Sequence, residues 1–201
     1  MGTVILFLFQ HSRGIAQTCR LGLLCASLLV LAACGDTITK SSMSAPVAPP
    51  SLNTALQSKA IAEAQQKQAR GQRVWCVPFA RDASGVALKG NAGTWWNAAQ
   101  GVYARGKSAE VGAVMVFAPH KSSRLGHIAV VSEVISDREI LIDHTNWHRN
   151  QISLKMPVID ISVNNDWSKV SVEGTPGVLG NARPVHGFVY PRALGSDDSQ
   201  S

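Results

Sequence analysis

The sequence predicts an α+β domain in which N-terminal helices pack on a small antiparallel β-sheet. Helical character comes first: residues 54–70 are rich in Ala, Gln and Lys, and a short helix is expected to start near Cys76. From residue 112 onward, runs rich in Val and Ile are separated by turn residues, which is typical of strands. We predict strands over residues 112–117, 128–134, 139–143, 151–154, 170–172 and 187–190.

The N-terminus has the pattern of a bacterial export signal. Residues 21–33 are apolar, follow Arg20 and end in small residues, as a secretory signal peptide does. This run is short for a membrane span, which disfavours a spanning anchor. Residues 31–35 resemble a lipobox, which implies cleavage before Cys34 and lipidation of its sulfur. A protein so processed is expected in the periplasm, anchored to the inner or outer membrane.

Four segments are predicted along the chain. The signal peptide covers residues 1–33, and a Pro/Ser/Ala-rich tether with a lead-in helix covers 34–70. The folded domain covers 71–192, and a polar tail covers 193–201. The formal net charge is +6, without a basic run interleaved with aromatic residues, so nucleic-acid binding has little support.

Cys76 is the candidate nucleophile. If Cys19 and Cys25 leave with the signal peptide and Cys34 carries lipid, Cys76 is the only free thiol of the mature protein. A structural cysteine in an oxidising compartment normally has a disulfide partner. The start of a helix also favours a thiolate through unpaired N–H groups and the helix dipole. The alternative is that Cys76 is a buried small hydrophobic residue.

His127 is the candidate base. It follows Gly126 and opens a predicted strand, and the next strand ends at residues 143–147. In an antiparallel pair the start of one strand lies beside the end of the other, so His127 is expected near Asp143, His144 or Asn146. We predict no metal site, because His144 and His148 would be about 13 Å apart on a strand.

Several motifs, in this order and spacing, resemble the cysteine- and histidine-dependent amidohydrolase/peptidase (CHAP) domain. The likeness covers about residues 71–191 and implies a papain-like fold that cleaves amide bonds in peptidoglycan, without a cofactor. The motifs that carry it are residues 75–81, 90–96, 111–117, 126–131 and the pair Asn146-Trp147.

The resemblance also implies a role for each residue. Cys76 is the nucleophile and His127 the general base. Asn146 matches the family's Asn-Trp pair and is favoured as third member, with His144 and Asp143 as alternatives. His144 stands where family members often carry a carboxylate. Apart from the resemblance, we expect the Cys76 N–H and Gln72 to stabilise the oxyanion. Four tryptophans could line a substrate groove, and the alternative for each is packing in the core: Trp75, Trp95, Trp96 and Trp147.

The sequence thus predicts a lipid-anchored cysteine hydrolase of peptidoglycan, either a stem-peptide endopeptidase or an N-acetylmuramoyl-L-alanine amidase. Two alternatives stay open. One is a non-hydrolytic wall-binding module on the same fold. The other is an amide hydrolase or transferase that acts on a small substrate outside the wall.

Overall fold

The helices precede the strands along the chain. The computed structural model describes residues 51–194, which belong to one compact unit. The helices are α1 (Thr54–Ala69), α2 (Cys76–Ser84) and α3 (Trp95–Ala98), with a 3₁₀ turn at Ala92–Thr94 before α3. The strands are β1 (Tyr103–Gly106), β2 (Val114–Phe117), β3 (His127–Ser136), β4 (Glu139–Thr145), β5 (Ile152–Asp160), β6 (Lys169–Thr175), β7 (Val178–Leu179) and β8 (Arg183–Ala193).

The eight strands form one antiparallel sheet in the order β1-β8-β2-β3-β4-β5-β6-β7. An additional pairing joins β6 to β8, so six strands, β8-β2-β3-β4-β5-β6, close into a ring. The α+β class is confirmed, but the prediction of a small sheet is wrong. Short strands such as β1 and β7 lack the apolar runs that identify a strand in sequence, and Lys155 interrupts the apolar pattern of β5.

Both faces of the central strands are buried. Successive side chains along a strand point to opposite faces of the sheet, so alternate residues belong to two different cores. On β2, Val114 and Val116 belong to a core shared with the helices, whereas Met115 and Phe117 face a second core enclosed by the ring. On β3, Ile128 and Val130 face the helices and Ala129 and Val131 face inward. This double burial explains why these strands read as continuous apolar runs.

Helix α1 is part of the folded domain. Its Ala60 and Ala64 are buried in the same core as α2. Its Gln57 side-chain amide donates to the buried carboxylate of Asp143 on β4, and Asp143 also accepts from the Lys155 N–H at 2.8 Å. The helix assigned from sequence to the tether therefore shares the domain's core, and the folded unit begins before residue 71.

Part of the predicted organisation lies outside the described residues. The signal peptide, Cys34, most of the linker and residues 195–201 of the tail are in this group. Within residues 51–194, no helix has both the length and the apolar character needed to cross a membrane.

Candidate active site

Cys76 is the first residue of α2. Trp75 before it is extended, with φ −133° and ψ 142°, so the chain turns from an extended approach into the helix at the thiol. Three backbone N–H groups, those of Cys76, Val77 and Ile128, favour the thiolate, yet burial outweighs them and raises the pKa of the Cys76 thiol. Cys76 is not in a disulfide. The helix start therefore favours the thiolate, as expected, but desolvation of the same position has the larger effect on the pKa.

His127 is held at the start of β3 by a tight glycine turn. Gly126 has a φ of +70°, and a Cβ at this position would lie 2.7 Å from the backbone of Gly93 and from the Phe117 carbonyl oxygen. The Gly93 N–H donates to the Leu125 carbonyl at 2.8 Å, which fixes this approach. Only glycine fits here without displacing backbone, so Gly126 sets where the imidazole of His127 lies.

A histidine pair forms the centre of the site. His127 Nε2 lies 2.8 Å from His144 Nδ1, and the relative exposures of the two residues are 8% and 0%. Trp147 packs edge-on against His127 with ring centroids 5.1 Å apart. Burial lowers the pKa of His127 to about 3 and, with the nearby His127 and His148, also lowers that of His144. Both rings are therefore neutral at neutral pH.

The network around the pair indicates which nitrogens carry protons. His144 Nε2 lies 3.1 Å from the Met156 sulfur, which is a weak acceptor and not a donor. An N–H at His144 Nε2 satisfies this contact and leaves Nδ1 as an acceptor. His127 then carries its proton on Nε2 and donates to His144, so its Nδ1 is free to accept a proton. This is the tautomer that a general base needs.

The structure brings His144 to His127, rather than the favoured third member Asn146. Asn146 has a left-handed backbone (φ 63°), and its side-chain oxygen accepts from the Asn150 N–H at 2.9 Å and, at 3.4 Å, from Arg73. The carboxylate of Asp143 points to the other side of β4, toward Gln57 and Lys155. The left-handed turn at Asn146 ends the strand geometry that placed its side chain beside that of His144.

Cys76, His127 and Asn146 line one cleft of about 480 Å³. A second cavity of about 400 Å³ adjoins it, sharing His127, Asn146 and Ser123 but not Cys76. Cys76 and His127 make no hydrogen bond with each other in the described structure, an arrangement common in catalytic sites without substrate. Cys76 thus lines only the first cavity, whereas His127 lines both.

Two of the four predicted groove tryptophans lie at these cavities. Trp75 is 50% exposed and lines the cleft with Cys76, and Trp147 lines the second cavity. Trp95 is fully buried in the core beneath the helices, so its predicted role is wrong. Trp96 lines neither cavity and packs with Arg105, Lys107 and His186 on another part of the surface.

Of the two groups predicted to stabilise the oxyanion, only the Cys76 N–H lies at the cleft. The Cys76 N–H lies at the thiol, whereas Gln72 is exposed and its side chain does not line the cleft. Gln72 follows directly on the turn that ends α1, and its N–H bonds the Lys67 carbonyl. That bond keeps Gln72 with α1, so the structure does not support the oxyanion role.

No cluster of three His, Cys, Asp or Glu side chains suited to a metal ion occurs in residues 51–194. His148 follows the end of β4 and its Nε2 lies 3.0 Å from the Gly174 carbonyl oxygen.

Sequence reasoning missed Met156 and Arg183. Met156 lies on β5 behind His144, and Arg183, the first residue of β8, lines the second cavity. Met156 lies on the strand that follows the Asn146-Trp147 motif, whereas Arg183 is distant in sequence from the motifs, and only the pairing of the sheet places them at the site. The one available signal was the i, i+2 alternation along β5, which Lys155 obscures with a φ of 54°.

Comparison with known protein families agrees with this geometry. No curated protein matches the chain. The model of the CHAP domain matches residues 67–146, a segment that contains Cys76, His127 and His144. CHAP domains are associated with cysteine- and histidine-dependent amidohydrolases and suggest a function of the peptidoglycan hydrolase or amidase type. Residues 67–146 are therefore the part of the chain that is identified as a CHAP domain.

Proposed function

We propose that this protein is a peptidoglycan hydrolase that cleaves an amide bond through Cys76 and His127, as a stem-peptide endopeptidase or an N-acetylmuramoyl-L-alanine amidase. One observation carries the proposal. A free thiol at a helix start shares a cleft with a histidine whose far nitrogen bonds a second, buried histidine, inside the segment that matches the CHAP model. A papain-like fold agrees with this arrangement.

The first step begins from a neutral thiol on Cys76 and a neutral imidazole on His127. Because burial raises the pKa of Cys76 and lowers that of His127, the thiol keeps its proton until substrate arrives. His127 Nδ1 then accepts this proton as the sulfur attacks the substrate carbonyl carbon. The carbonyl π electrons move to oxygen, and the Cys76 N–H stabilises the oxyanion.

The remaining steps return the enzyme to its starting state. The tetrahedral intermediate collapses, the C–N bond breaks, and His127 gives its proton to the leaving amine. A thioester on Cys76 remains. His127 then takes a proton from water, whose oxygen attacks the thioester, and the released sulfur recovers that proton.

His144 acts on this sequence as a positioning residue. Its Nδ1 accepts from His127 Nε2 and keeps the free nitrogen of His127 available to the thiol. The same contact stabilises the imidazolium that forms during each step. Because His144 is neutral, this stabilisation is weaker than that from a carboxylate.

We also propose that the protein is exported and anchored by lipid at Cys34, so that its domain acts on the wall from the membrane surface. The lipobox-like residues 31–35 support this. Metabolic labelling with a radioactive fatty acid tests it. Wild type should be labelled and Cys34→Ala should not, and label in the variant would refute lipidation at this site.

Hydrolysis is tested by incubating the full chain with purified peptidoglycan and identifying released fragments by mass spectrometry. Wild type should generate matched new amine and carboxyl ends that identify the bond. Cys76→Ala and His127→Ala should generate none, while Cys34→Ala should retain activity in solution. Binding to the wall without new ends would instead favour a binding module. Activity confined to small amides would favour an amide hydrolase or transferase that acts on a substrate outside the wall.

A further inference from the structure

The second cavity holds a guanidinium that no carboxylate within residues 51–194 pairs with. Arg183 lines it together with His120 and Ser122, and its Nη1 donates to the Ser122 hydroxyl oxygen at 2.6 Å and to His120 Nε2. Its charge also lies over the Trp147 ring, 5.6 Å from the centroid. In residues 51–194, none of the three ion pairs includes Arg183, and neither cavity is lined by an aspartate or glutamate.

Hydrogen-bond donors outnumber acceptors at this position. A guanidinium has five N–H donors, yet only Nη1 of Arg183 has partners within the described residues. His120 is approached by donors at both ring nitrogens, the Ser122 N–H at Nδ1 and Arg183 at Nε2, although a neutral imidazole accepts at only one. The donors of this site therefore outnumber its acceptors, and a ligand that supplies two oxygen acceptors and a negative charge would satisfy the remaining N–H groups of Arg183.

The position of the cavity relative to the reacting groups indicates which part of a substrate reaches it. The acyl carbon must meet Cys76 in the first cavity, whereas the leaving amine must receive its proton from His127. The second cavity is lined by His127 but not by Cys76, so it lies on the amine side of the scissile bond.

We propose that Arg183, with Ser122 and His120, binds a carboxylate carried by the amine-side part of the substrate. This inference rests on the proposed hydrolase function, which defines the acyl and amine sides of the scissile bond. It narrows the substrate to peptides whose leaving fragment carries a free carboxylate. A planar guanidinium pairs with a carboxylate through two parallel hydrogen bonds, a geometry that lysine cannot reproduce.

The test compares soluble peptidoglycan fragments whose carboxylates are free with the same fragments after conversion to carboxamides. Binding is measured by calorimetry on the full chain carrying Cys76→Ala, which prevents turnover. Amidation should weaken binding by about tenfold or more in this background. Adding Arg183→Gln should remove most of that difference, and Arg183→Lys should keep an intermediate part of it. Arg70 is exposed and lines neither cavity, so Arg70→Gln is the matched control.

A parallel assay measures hydrolysis of both fragment sets by the protein with Cys76 intact. Equal binding of both fragment sets, or a preference that survives Arg183→Gln, would overturn the proposed subsite even if hydrolysis is observed. Carboxylate-selective binding that depends on Arg183, without any released amine, would support the subsite and refute the hydrolase function. If Arg183→Gln fails to fold, the comparison of Arg183→Lys with wild type decides, since an undiminished preference would contradict the two-bond geometry.

Discussion

Replacing His144 by leucine tests the role of the histidine pair. His127 Nε2–H donates to His144 Nδ1 at 2.8 Å, and both rings are buried, so leucine leaves this N–H without an acceptor or water. An unsatisfied buried donor costs about 1–3 kcal/mol and more when it is charged, so the variant should lose about this much in the transition state, where His127 is an imidazolium, relative to the resting enzyme. At about 1.36 kcal/mol per tenfold, kcat/KM should fall about 5- to 150-fold. Most of the loss should appear in kcat, because the contact strengthens when His127 becomes charged.

His144→Asn is the matched variant. The asparagine side-chain oxygen lies about where Nδ1 of histidine lies, so it can accept from His127 and should retain most of the activity. The assay is steady-state release of amine from soluble peptidoglycan fragments, with thermal melting to show that each variant is folded. Wild-type kcat for a folded His144→Leu protein would refute the positioning role. An equal loss of kcat/KM in the leucine and asparagine variants would show that the hydrogen bond from His127 to residue 144 does not account for the role of His144.

Three further predictions follow from burial. First, the free energy of unfolding should fall as pH drops from 6.5 toward 3, by up to about 1.36 kcal/mol per pH unit for each histidine of the pair. The unfolded chain takes up these protons, whereas burial keeps the pKa of His127 at about 3 and lowers that of His144, so stability is present above pH 6.5 and lost as pH falls. When the free energy of unfolding is measured by urea denaturation at each pH between 6.5 and 5, it should change less steeply with pH in His144→Leu than in wild type. An equal pH dependence in the two proteins would contradict this. Second, iodoacetamide should alkylate Cys76 more slowly than free cysteine at neutral pH, and the alkylation rate should rise above pH 9, because burial raises the pKa of the thiol. A rate that is already high and independent of pH at pH 7 would show that the thiol is ionised there and would contradict a neutral Cys76 in the resting enzyme. Third, Asp143→Ala should destabilise the fold by about 1–3 kcal/mol, because the partly buried Lys155 N–H and Gln57 amide lose their acceptor and each hydrogen bond contributes about 0.5–1.5 kcal/mol; an unchanged urea midpoint would show that this contact does not hold α1 to the sheet.

The sequence was informative where a local pattern determines the structure. The Val- and Ile-rich runs predicted the central strands, and the spacing between Gly126-His127 and residues 143–147 placed the end of β4 beside His127. Short-range rules sufficed because antiparallel neighbours joined by a tight turn are adjacent in sequence. The same rules identified the start of α2 at Cys76.

Other features depended on contacts that no local pattern encodes. Alternation along a strand placed His144 and Asn146 on one face, but the left-handed turn at Asn146 removes its side chain from that face. The effect of the helix start on the Cys76 thiol is outweighed by burial, and the burial of Trp95 depends on the packing of α3 in the core that helices and strands share. The closure of β6 on β8 brings Arg183 to the site across a long sequence separation.

The central claim, nucleophilic catalysis by Cys76, is tested most directly by trapping the thioester. The full chain is mixed with soluble peptidoglycan fragments, quenched in acid within the first turnovers, and its intact mass is measured before peptide mapping. We expect a mass increase equal to the acyl part of the substrate, located on the peptide that contains Cys76, together with an equal burst of released amine. Amine release by a Cys76→Ala protein at the wild-type rate, or release without any acyl adduct on Cys76 under conditions where deacylation is slow, would contradict it.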